Sequence, residues 1–468
     1  MPVDDPIAEV GEGRLRGKGG DGVRRFLGVP YAAPPLGPLR WRPPGAPLPW
    51  SGVRDASSFG PIAPQPVFPG DPGVGAEPMS ENCLALNVWA PDGARSLPVL
   101  VWLHGGAFYV GSGSAPLYDG AALARLGLVV VTLNYRLGRL GVFDHPALAA
   151  ERDPAEPSVT YGLLDMAQAL RWLRANLPAF GGDPGRITLM GESAGGAAVL
   201  RLMRWEAARG LFHRGVVLSG LGGERATALA SLRARTAEMF PGDADSLRAL
   251  PVEALLRPSP DFYGGDLLVR DGVVVPEDPA DAFAGGRQVP MPLMLASTSR
   301  EIGPVESDRA YGGLLRRLPA GWRERLETLY GTDPDARGAL LGDLLFTEPA
   351  RRFADLHARA GHPAWLARFD LHPGGTPHAG ELPYIFGNLP PVASKGDRAV
   401  ASDLAARLAA FARGEPPGPD WPAHVAGATA QMTFTPSGPR VAPISHRERL
   451  EAVAACRVAM SDQPGPWP

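Results

Sequence analysis

The stretch RITLMGESAGGAAVL, Arg186 to Leu200, decides how the rest of the chain is read. Its first five residues, Arg186 to Met190, are mostly apolar or β-branched and predict a short buried strand, and from Ala194 the small and apolar residues predict a helix start. Between them the pattern GxSxG holds Ser193. In a nucleophile elbow the serine occupies a strained turn with its hydroxyl exposed, and only small residues two positions either side let strand and helix approach closely. Gly191 and Gly195 supply them. A glycine-rich loop can hold a serine by accident, and the strand and helix patterns on either side distinguish the elbow from that case.

On both sides of the elbow, strand patterns alternate with helical ones. LALNVWA from Leu84, LPVLVWLH from Leu97 and GLVVVTLN from Gly127 precede it; GVVLSG from Gly215, MPLMLAST from Met291 and PAWLARFDL from Pro363 come after it. Between them YGLLDMAQALRWLRANL repeats Leu163, Ala167, Leu170, Leu173 and Leu177 at helical spacing. Continuous apolar strands separated by helices predict an α/β fold with a large, mostly parallel sheet covered by helices on both faces. The segments 221–263 and 306–357 are rich in Ala, Leu and Arg and read as helical insertions above the sheet. The whole chain is expected to form a single domain.

Composition narrows the partners. The 468 residues are 45% hydrophobic with a net charge of -3, so no strong field favours nucleic acid or an anionic membrane surface. No uninterrupted apolar stretch is long enough to span a bilayer, and the N-terminus has no basic and apolar leader pattern. A cytoplasmic protein, monomeric or homodimeric, is the expectation. The two cysteines, Cys83 and Cys456, do not make a disulfide framework and read as buried structural thiols.

Two other motifs read as structure rather than function. The proline-dense stretch Val29 to Trp50 contains a PxxP at Pro35 and Pro38, but the interleaved Tyr31, Leu36, Leu39 and Trp41 look like residues that bury themselves in packed, irregular loop. GKGGDG, Gly17 to Gly22, fits GxGxxG, yet the residues after Gly22 read as a strand and then proline, so no helix N-terminus is there to receive a pyrophosphate. It reads as a hairpin turn.

A serine alone is a poor nucleophile, so the elbow predicts a base, an acid to orient it and donors for an oxyanion, in the chain order serine, acid, histidine. VWLHGGAFYVG, Val101 to Gly111, runs from a strand into side-chain-poor residues whose backbone N–H groups are free to point at an anion, together with that of Ala194. For the acid, the loop after MPLMLAST offers Glu301, with Glu306 and Asp308 as competitors. For the base, His372 and His378 lie beyond the same strand, and the glycine-flanked loop of His378 is the better placed to reach across the sheet.

These long, ordered stretches, with GVPYAAPPLGPLRWRPP, SENCLALNVW and VTLNYRLGRLGVF, resemble the type-B carboxylesterases, the family that includes bacterial para-nitrobenzyl esterases and is related to the cholinesterases. The resemblance covers nearly the whole chain and implies an α/β-hydrolase fold and hydrolysis of small to medium neutral carboxylic esters without cofactor or metal. It implies Ser193 as nucleophile, Glu301 as acid and His378 as base, with Gly106, Ala107 and Ala194 as oxyanion donors. Glu192 and Ser219 fall where the family has polar residues behind the catalytic groups, and Glu81 with Arg136 resembles a structural ion pair. The alternative is a binding or adhesion protein of the same fold that has lost catalysis, but all three polar positions survive here. The family's secreted animal members pair a cysteine at Cys83 with one upstream, which is missing, so that loop is unstapled. No tryptophan lies in 60–80, which argues against a quaternary-ammonium substrate. The chain also looks short between Ser219 and Asp266, which allows a wider pocket.

Overall fold

The computed structural model describes residues 5–68, 72–153, 159–220, 226–256, 267–305, 312 and 318–460. Its main sheet contains β1 Lys18–Gly20, β2 Val23–Pro30, β3 Ala85–Pro91, β4 Leu97–Leu103, β5 Val129–Leu133 and β6 Gly182–Glu192. It continues with β7 Arg214–Leu218, β8 Leu293–Thr298, β9 Ala364–Phe369, β10 Ala430–Thr435 and β11 Gly438–Pro443. The spatial order is β11-β10-β9-β8-β7-β6-β4-β5-β3-β2-β1. Strands β10 through β5 in this order run parallel, and both ends are antiparallel. This is the α/β-hydrolase architecture.

The buried stretches of the central strands are mostly apolar because both faces are covered. In β4, Val99, Val101 and Leu103 join the core that includes α1, Tyr161–Phe180, and α2, Ala194–Leu202, while Leu100 and Trp102 join the opposite core with α7, Lys395–Arg413. The spacing of Leu163, Leu170, Leu173 and Leu177 places them all in the first core. Gly181, at φ +83°, ends α1 in the left-handed conformation. The GKGGDG stretch forms the β1–β2 hairpin, with Gly20 opposite Val23.

Between β7 and β8 lie α3, Leu229–Met239, and a two-stranded parallel pair, Thr227–Ala228 with Val269–Arg270. Between β8 and β9 lie α4, Trp322–Tyr330, α5, Pro334–Gly342, and α6, Glu348–Arg359. The last of these packs on β8 and β9 with Phe353 and Ala354 fully buried. Part of the segment 306–357 is therefore a sheet-covering helix, because its apolar stripe is aimed at the strands.

Three further expectations need correction. Tyr31 and Trp41 are buried, Trp41 stacking on Phe143 at 4.2 Å, but Leu36 and Leu39 are about half exposed, at 45% and 48%. The short 3₁₀ turn at Gly37–Leu39 aims both leucines outward. Glu81 does not pair with Arg136. It accepts from Arg40 Nε at 2.8 Å, on the side of the proline-rich loop. Arg136 instead donates from Nε to Asp165 at 2.8 Å and from Nη2 at 2.6 Å, because α1 carries that fully buried carboxylate directly beneath it. Strands β10 and β11 are not among the continuous apolar runs, since Gln431, Thr433 and Arg440 interrupt them. Cys83 and Cys456 are both free and buried.

Candidate active site

The elbow is built by steric necessity. Ser193, between β6 and α2, has φ +52° and ψ -117°, a conformation costly for any L side chain. A Cβ on Gly191 would lie 2.3 Å from the carbonyl carbon of Gly195, and one on Gly195 would lie 2.1 Å from the Leu103 oxygen. Neither position can hold a side chain, so strand and helix meet with the serine at the apex. Ser193 itself is 8% exposed and lines a cavity of about 650 Å³.

Glu301 and His378 reach the same cavity from the loops after β8 and β9. His378 Nδ1 lies 2.7 Å from Glu301 Oε2. The other oxygen of Glu301 accepts from the Ser219 hydroxyl at 2.7 Å and from the Thr298 N–H at 2.6 Å. His372 stays outside this group and does not line the cavity, packing against Tyr384 instead, and Glu306 and Asp308 lie outside the described residues.

Ser193 and His378 line one cavity but are not hydrogen-bonded to each other. The ring's Nε2 instead lies 3.0 Å from Glu192 Oε1, in ion-pair reach but off the line needed for a hydrogen bond, so that this oxygen accepts none. Burial opposes charge on the imidazole, but the carboxylates of Glu192 and Glu301 outweigh it and push the His378 pKa well above 6.5. The ring therefore sits between two carboxylates that both favour its charged form.

Across the cavity, Gly106 at φ +99° and Ala107 at φ +54° form a tight turn after β4. Among the described residues their amides donate to nothing, and Ala194 opens α2, where the first-turn N–H has no intrahelical acceptor. The turn is braced from behind. Tyr135 stacks on His104 at 4.3 Å and donates to the His104 carbonyl at 2.8 Å, and burial lowers the His104 pKa to about 4, so this ring is neutral.

Sequence reasoning passed over one ionisable residue. Glu381 is fully buried, and neither carboxyl oxygen has a partner. Burial first, then Glu192 and Glu301, raise its pKa well above the usual carboxyl range. It stands three residues after His378 in HAGEL, and no local pattern marks it.

Residues 4–310 match the carboxylesterase family, a span that includes the elbow and Glu301. The chain belongs to the carboxylesterase family. It is 37% identical to the para-nitrobenzyl esterase of Bacillus subtilis (strain 168), over 81% of this chain and 82% of that protein. It is 36% identical to the fumonisin B1 esterase of Sphingopyxis macrogoltabida, over 83% of this chain and 76% of that protein. A solved para-nitrobenzyl esterase structure superposes with a TM-score of 0.85 at 32% identity, covering 96% of this chain and all of that one. The protein is a carboxylic ester hydrolase of type B. Among the described residues, no cluster of side chains could hold a metal ion, and no helix is long and apolar enough to cross a membrane.

Proposed function

We propose that this carboxylesterase hydrolyses small to medium neutral esters through an acyl-enzyme on Ser193. The neutral imidazole of His378, turned from Glu192 to Ser193, takes the serine proton as the hydroxyl attacks the carbonyl. Catalytic hydrogen bonds are often misaligned in unliganded enzymes and tighten when substrate binds. Glu301 fixes the ring through Nδ1 and stabilises the imidazolium. The amides of Gly106, Ala107 and Ala194 receive the oxyanion, each contributing on the order of 3 kcal/mol to the transition state. His378 then protonates the leaving alcohol, and water repeats the sequence to release the acid.

The observation that carries this reading is the 2.7 Å bond between His378 and Glu301 at the wall of the cavity that Ser193 enters from a strained turn. The cavity walls are mainly apolar, from Leu267 and Leu268 behind the first insertion and from Leu345 and Phe346 in the second, which suits uncharged acyl and alcohol groups. The second insertion supplies part of the gorge wall of a single domain, and Leu267 and Leu268, just past the first, supply another part. Purified Ser193→Ala protein assayed on a soluble activated ester should be inactive; substantial residual turnover overturns the mechanism. A nitrophenyl ester series from acetate to palmitate reads the acyl limit.

A further inference from the structure

The cavity wall beside the imidazole comes from a stretch that breaks the α-helical period. Asp343–Thr347, between α5 and α6, is π-helical. Such turns are uncommon, arise mostly as single-turn bulges within α-helices, and are frequent at functional sites. Here Leu345 and Phe346 both line the cavity, and the Phe346 ring lies 4.6 Å from that of His378, tilted by 44°. Phe346 is buried.

The turn is fixed from two sides. Tyr330 of α4 donates to the Asp343 carboxylate at 2.8 Å. α5 also lies so close to the acid loop that a Cβ on Gly338 would stand 2.2 Å from the Gly303 oxygen, and one on Gly342 3.2 Å from Glu301 Cβ. One continuous segment therefore touches both the loop that carries the acid and the ring of the base.

We propose that Phe346 is a positioning residue for the base: its ring face holds the His378 imidazole against Glu301 and favours the imidazolium that forms as Ser193 attacks. This rests on the serine mechanism proposed above and assigns a part to a residue with no polar atom. An aromatic face is negative and attracts a cation within about 6 Å, and the ring also keeps water from one side of the imidazole. The charged and titratable groups facing His378 are Glu301 from the loop after β8, Glu192 from the end of β6 and Glu381 from its own segment. The π turn's own carboxylate, Asp343, is bound by Tyr330, so what the turn offers His378 is the neutral ring.

The test is kcat and KM across pH, followed by proton release from a soluble ester, for wild type, Phe346→Leu and Phe346→Tyr. Phe346→Leu keeps apolar bulk without a π face. It should leave KM within about twofold, lower kcat on the order of 5- to 20-fold and move the low-pH limb of kcat/KM down by about half a unit to one unit. Phe346→Tyr should restore both. A Phe346→Leu enzyme with wild-type kcat and limb, or one altered in KM alone, overturns the inference. If Phe346→Leu does not fold, Phe346→Met carries the same comparison. Residual turnover in Ser193→Ala would sink the mechanism and this inference together. An inactive Ser193→Ala beside an unperturbed Phe346→Leu sinks this inference alone.

Discussion

Ser219 Oγ donates to Glu301 Oε1 at 2.7 Å, which leaves Oε2 to hold His378 Nδ1 at the same distance. The hydroxyl works through the carboxylate, so Ser219→Ala should lower kcat by about tenfold with KM nearly unchanged, the cost of about one hydrogen bond to a charged group. Glu301→Gln keeps the shape but favours the wrong tautomer, and kcat should fall by about 10⁴-fold. A Glu301→Gln enzyme within tenfold of wild type would remove Glu301 from the mechanism.

The two carboxylates flanking His378 set the pH dependence. The folded pKa of His378 is pushed above its ordinary value, so the low-pH limb of kcat/KM should sit above the ordinary histidine value. Glu192→Gln removes one of the charges that favour the imidazolium, so the limb should move to lower pH. A limb that stays in place or rises would show that Glu192 does not act on the ring. The same ion pairs stabilise the folded chain below histidine's ordinary value and lose that contribution as pH rises through the folded one.

Gly106 is held at φ +99°, and a Cβ there would lie 2.1 Å from the Val110 carbonyl oxygen. Gly106→Ala must therefore move the turn whose amides are proposed to receive the oxyanion. Loss of one donor costs about 100- to 1,000-fold in kcat, and circular dichroism should show the fold retained. Wild-type kcat in this variant would mean that the oxyanion is bound elsewhere.

The buried pair Arg136 and Asp165 predicts stability rather than activity. Asp165→Ala strands a guanidinium whose side chain is only 4% exposed, and loss of one partner of such a pair costs about 3 to 5 kcal/mol. Glu81→Ala should leave Arg136 paired and cost less. Urea unfolding of the two variants reads the order directly, and the reverse order would refute the pairing.

Cys83 is buried, and burial pushes its thiol up to about 12. It should resist an aromatic disulfide reagent until the protein unfolds, and reductant should not change the melting temperature. Rapid labelling of the folded protein at Cys83 would contradict its position under the core.

Much of this was legible locally. Continuous apolar runs mark strands covered on two faces, the leucine spacing in 163–177 marks one long helix, and the glycines around Ser193 mark a turn where no Cβ fits. Each signal lies within a few residues and depends on burial or sterics that adjacent side chains already dictate. Strands β10 and β11, at one end of the sheet, escaped because polar residues interrupt their apolar runs.

What the chain alone determined is where backbone and burial leave one choice: the sheet's central strands, the elbow, and the loops that bear Glu301 and His378. What only the folded molecule decided is which charges meet. Arg136 takes Asp165 over Glu81, Glu192 faces Nε2, Glu381 is shut away unpartnered, and a π turn lays Phe346 on the imidazole. Those outcomes depend on how elements far apart in sequence pack, and a contact of a few ångströms is fixed by that packing rather than by any neighbouring residue.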